Sequence, residues 1–78
     1  MTKHHTMNDR LKLARIAAGF DTATAAIERH YWNATLYRNH ENGKSSFDRK
    51  EAENYAHAYN VSADWLLFGD DSNLKISN

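Results

Sequence analysis

Residues 33–43, NATLYRNHENG, constrain the chain most tightly. The stretch opens on Asn33, whose side-chain oxygen suits a helix N-cap, and closes on Asn42-Gly43, a stop signal. Between these signals there is room only for a short helix. On a wheel of about 3.6 residues per turn, Thr35, Arg38, Asn39 and Asn42 share one face. Tyr37 and His40 fall on the opposite face, with Glu41 beside Tyr37. One side is short, polar and rich in hydrogen-bonding groups, with a single guanidinium. The other side anchors the helix to a core. Such a helix fits a DNA major groove, which is wide enough to admit one; the same pattern also suits a face that only meets water.

The chain of 78 residues is one small domain, and 41% hydrophobic residues build a thin core. With no cysteine, a disulfide framework and a thiolate metal site are both excluded. No run is long or apolar enough to span a membrane, and residues 1–7 lack the apolar segment of a signal peptide. A cytoplasmic location is the expectation. Net charge is zero, yet its distribution is uneven. Residues 1–50 carry a balance of +4 and residues 51–78 a balance of −4, which suits a protein that turns one end towards a polyanion.

Taken in order, residues 1–8 read as a flexible tail, 9–69 as the domain and 70–78 as a C-terminal tail. Asp9 is the candidate cap of a first helix over about 10–18, stopped by Gly19. Two apolar stripes run along this helix: Met7, Leu11, Ala14 and Ala18 on one side, and Leu13, Ile16, Ala17 and Phe20 nearly opposite. A helix apolar on two sides is covered on both, or one stripe is an interface. Asp21 or Thr22 caps a second helix over 23–30, with Ala23, Ala26, Ile27 and His30 inward. A short break at Tyr31-Trp32 precedes the 33–42 helix, so two short helices are joined by about three residues, the helix-turn-helix outline. Asp48 with Glu51 makes a capping box for a fourth helix over 49–59, whose stripe is Ala52, Tyr55, Ala56 and Tyr59. Asn60 is its stop. Ser62 caps a fifth helix over 63–68, anchored by Trp65 and Leu66 and ended by Gly69. Leu74-Lys75-Ile76 alternates like a very short strand.

Five histidines raise the question of metal, but His4 and His5 lie in the tail and His30, His40 and His57 have no ligand spacing. No metal or other cofactor is expected. Neither a Ser/His/Asp order, a phosphate loop nor a pair of acids supports catalysis, so no enzyme is expected.

Three segments, RLKLARIAAGF at 10–20, YRNHENG at 37–43 and AENYAHAYNVSADWLLFG at 52–69, together resemble the lambda repressor/Cro-like helix-turn-helix family of bacteria and phages. The resemblance covers about residues 9–69. It rests on Arg10-Leu11-Lys12 with small Ala14 following, on Glu41-Asn42-Gly43, and on Ser62-x-x-Trp65-Leu66-Leu67. It implies an all-α domain of five short helices and a sequence-specific transcriptional regulator, most simply a repressor that occupies operator DNA as a dimer. A protein-interaction module on the same fold, an antirepressor or antitoxin with little DNA affinity, is the rival reading. The chain departs from the family at Tyr31, where the turn usually holds Gly, at Ile27, where Ala is usual, and at Ala23 and Thr24, where Gln is frequent. Tyr31 and Ile27 predict a longer or reshaped turn.

Site residues follow from this reading. Arg38 suits guanine O6/N7 or a phosphate, Asn39 suits adenine, and Thr35 and Ala34 suit a base edge or a thymine methyl. Thr24, Asn42, Lys44, Ser45, Arg49 and Lys50 are candidate phosphate contacts. Glu41 reads as structural, pairing with Arg10 or Arg15. Leu67, Phe68, Leu74, Ile76, Leu13 and Ile16 are the candidate surface of a weak homodimer, and Tyr31 and Trp32 are expected to be partly buried.

Overall fold

The computed structural model describes residues 6–69, which are all-α. Five helices follow in order: α1 Met7–Ala17, α2 Ala23–His30, α3 Ala34–Asn42, α4 Arg49–Tyr59 and α5 Ala63–Phe68. Leu74 and Ile76, with the short strand expected there, lie outside the described residues.

Each helix begins on a side-chain cap. Thr22, Asn33 and Ser62 accept from the backbone N–H three residues on, at 3.1, 2.8 and 3.1 Å. Asp48 does the same for Glu51, whose carboxylate accepts the Asp48 N–H in return. The start of α1 corrects the sequence reading. Thr6 is the cap and Asp9 is its capping-box partner, so the helix begins at Met7 and Met7 and Asn8 belong to the domain. Ala18, expected on the core face, is an exposed C-cap.

The amphipathic stripes are otherwise where the periodicity puts them. Leu11, Ala14, Ala26, Ile27, Tyr37, Ala52, Tyr55, Ala56, Tyr59 and Leu66 are buried; Trp65 packs on them at partial burial. Phe47, given no core role from sequence, is also buried. The centre is aromatic. Trp32 stacks on Tyr37 with ring centroids 5.0 Å apart and on His30 at 4.3 Å, and meets Tyr55 and Tyr59 edge-on. Such pairs add specificity of orientation to their burial.

The turn between α2 and α3 is Tyr31, Trp32 and Asn33. It is three residues long, the spacing the helix-turn-helix outline expected. Tyr31 simply takes the left-handed cap conformation, φ 60° and ψ 38°, and its N–H donates to the Ile27 carbonyl. Trp32 is packed as expected, but Tyr31 is 93% exposed, against the expectation of partial burial. The backbone bond to Ile27 holds Tyr31 in the left-handed cap, and in that position its ring is left in solvent.

Candidate nucleic-acid interface

Helix α3 is held from beneath by a polar network. Arg15 on α1 donates through Nε to Glu41 at 2.8 Å, and the Tyr37 hydroxyl donates to the same carboxylate oxygen at 2.5 Å. The single phenolic proton of Tyr37 is committed there, so Tyr59 on α4 donates its own to Tyr37. His40 Nδ1 bonds the Tyr55 hydroxyl at 2.8 Å. Burial pushes the Tyr37 and Tyr55 phenols above their ordinary range and Tyr59 up to about 12. Glu41 is therefore structural and its partner is Arg15. Arg10 is engaged elsewhere, donating to the Leu66 and Leu67 carbonyls at 3.0 Å each. There it satisfies carbonyls that the end of α5 leaves without helical partners.

Asn8 ties α1 to the far end of α3, with Nδ2 donating to the carbonyls of His40 and Ser45. Sequence reasoning missed it by placing it in the tail; the Thr6-x-x-Asp9 capping pattern is the signal that would have found it. The N–H groups of Gly43, Lys44 and Ser45 all point at the Asn39 carbonyl, at 3.1, 3.1 and 3.4 Å. The turn after α3 is thus fixed at both sides.

With Tyr37, His40 and Glu41 turned inward, the opposite face of α3 meets solvent. Ala34, Thr35, Arg38 and Asn42 are exposed and Asn39 is half-buried. Thr24 on α2 is brought to the same surface, where its Oγ1 accepts from Arg38 Nη2 at 2.8 Å. Lys44, Ser45 and Lys50 are exposed beyond α3. Arg49 is exposed too, but its guanidinium pairs with Asp64 of α5 at 2.8 Å, so contact with another anion would have to compete with that bond. From Thr35 to Asn42 the face runs about 10 Å along the helix axis, and a major groove is wide enough to admit a helix.

Leu36 was not singled out from sequence. It is 44% exposed on the flank of the polar face, in a cleft of about 220 Å³ that Trp32, Asn33, Glu51, Asn54 and Tyr55 complete. Of the candidate pairing residues, Leu13 and Ile16 are 42% and 47% exposed, and Phe68 is exposed while Leu67 is partly buried. Leu74 and Ile76 lie outside the described residues.

Among the described residues no group of three or more His, Cys, Asp or Glu is placed to hold a metal ion. His30 donates from Nδ1 to the Ala26 carbonyl and stacks on Trp32. Among them, too, no helix is long and apolar enough to cross a membrane. No protein-family model matches the chain, and no curated protein matches it in sequence.

Proposed function

We propose that this chain is a sequence-specific DNA-binding transcriptional regulator of the lambda repressor/Cro-like kind, from a bacterium or its phage, with α2–turn–α3 as its helix-turn-helix. The observation that carries the reading is the division of α3. Tyr37, His40 and Glu41 are locked into the interior, while Thr35, Arg38, Asn39 and Asn42 line the outward side. A polar face on a rigidly seated helix has lost its conformational freedom in advance, which favours specific contact over loose attraction. Arg38 and Asn39 have the donor and acceptor sets that guanine and adenine edges require. Thr24, Asn42, Lys44, Ser45 and Lys50, all exposed, are the phosphate contacts of this reading.

In this reading the protein occupies an operator and excludes polymerase. One short helix reads few bases, so two copies act on half-sites about one helical turn apart. Leu13, Ile16 and Phe68, exposed apolar side chains, supply a small and weak pairing surface. The same exposed residues favour the second reading, a protein-interaction module on this fold.

Selection from a random duplex pool tests the proposal. A symmetric enriched motif supports it; enrichment of nothing, with salt-independent failure to bind, refutes it. Arg38→Ala should relax preference at one position of each half-site and weaken specific binding by about 1–3 kcal/mol.

A further inference from the structure

We propose that Thr24 and Arg38 act as one recognition unit, in which the threonine hydroxyl couples a phosphate contact to base readout by the arginine. The inference rests on the DNA-binding reading above. Arg38 Nη2 donates to Thr24 Oγ1 at 2.8 Å, across the gap between α3 and α2, and both residues are exposed. The hydroxyl is spared any capping duty, because Thr22 caps α2 through the Ala25 N–H. A hydroxyl has one proton and two acceptor lone pairs. Arg38 takes an acceptor site, so the proton is left for an acceptor outside the chain.

Two physical consequences follow. A hydroxyl that accepts from a cation is polarised and becomes a better donor, which suits a phosphate oxygen. The guanidinium, held at one corner, has fewer rotamers to lose on binding and keeps its other N–H groups for a two-point contact with guanine O6 and N7. Thr24 sits on α2 and the reading face on α3, so the bond fixes the side-chain register between a helix that meets the backbone and a helix that meets the bases. Thr24 is a positioning residue for base readout as well as a backbone contact.

The test is a double-mutant cycle on the full chain, with T24V, R38A, the double variant and T24S as the conservative control. The probes are the duplex that the wild-type chain enriches from a random pool and the same duplex with each G·C pair exchanged in turn. Circular dichroism melts verify folding; both residues are exposed, so all four variants should fold. The expected result is that T24V loses preference at the same base pair as R38A, on the order of tenfold, and makes the salt dependence shallower by about one phosphate. T24S restores both, and in the R38A background T24V costs no further base preference. A T24V variant that weakens every duplex equally and keeps the base preference overturns the coupling while leaving the DNA reading standing. So does an R38A variant that keeps full preference. A wild-type chain that enriches no duplex overturns the DNA reading itself, and this proposal with it.

Discussion

Tyr31 carries a measurable strain. Its φ of 60° and ψ of 38° lie in the left-handed region, where a bulky side chain crowds the following carbonyl at a cost of roughly 1–2 kcal/mol. Its ring is 93% exposed, so removing it gives up almost no buried surface. The bonds that close the turn, from the N–H groups of Tyr31 and Trp32 to the Ile27 carbonyl, are backbone bonds that any residue retains. Tyr31→Gly removes the strain but loosens the unfolded chain by about 0.4–1 kcal/mol, for a net gain of roughly zero to 1.5 kcal/mol. Tyr31→Asn keeps a side chain and tolerates the left-handed region, so it should gain about 1 kcal/mol, or some 4–8 °C in melting temperature for a domain of this size. Asn60 offers the reciprocal experiment, since it has nearly the same backbone, φ 59° and ψ 47°, with a residue suited to it. Asn60→Tyr should lose about 1–2 kcal/mol. Thermal melts by circular dichroism at low protein concentration measure all three. A fall in melting temperature for both Tyr31 variants would refute the reasoning, because it would require the ring to contribute more contact energy than an exposed side chain can.

Three further outcomes are expected. Arg15→Met leaves the Glu41 carboxylate buried without its cation, and should cost about 3–5 kcal/mol in denaturant unfolding; a loss under about 1 kcal/mol would show that Tyr37 alone suffices as its partner. Alkali should unfold the domain in step with phenol ionisation. Folded Tyr59 ionises near pH 12, and Tyr37 and Tyr55 are also raised, while unfolded phenols ionise near pH 10. Their stabilisation is therefore complete below about pH 10 and is lost as pH rises through the folded values. In the Tyr31→Asn variant, whose three remaining tyrosines are all buried, phenolate absorbance and helical circular dichroism should then share one transition, and full ionisation of those tyrosines in a still-helical chain would contradict this. Sedimentation should find weak self-association that Leu13→Glu with Ile16→Glu abolishes; an unchanged monomer–dimer constant would remove these residues from the pairing surface, and an equal constant after truncation at Gly69 would remove the C-terminal tail.

The helices were legible because their determinants are local. A cap at Thr22, Asn33, Asp48 or Ser62 acts on a backbone N–H three residues away, and stops at Gly43, Asn60 and Gly69 act through their own φ, so sequence spacing contains both. The inner faces were legible for the same reason: helical periodicity fixes the direction in which Tyr37, His40, Ala52 and Tyr59 point. What a wheel cannot supply is the neighbour in that direction. Arg10 and Arg15 were equal candidates for Glu41, and only the packing of α1 on α3 and α5 gives Glu41 to Arg15 and the α5 carbonyls to Arg10. Thr24 and Arg38 were separate candidates until α2 and α3 came together. Asn8 was assigned to a tail until its amide met the carbonyls of His40 and Ser45. Tyr31 and Trp32, adjacent and both aromatic, go to opposite fates because the left-handed turn aims one at solvent and the other into the stack. Sequence alone determined where α2, α3, α4 and α5 begin, end and turn their apolar sides, since those are questions of a few residues' reach; α1 begins three residues before the start that Asp9 indicated, because Thr6 is its cap. Tertiary structure decided which buried charge meets which partner and which polar side chains share the outer surface, since those contacts join residues 14 to 57 positions apart.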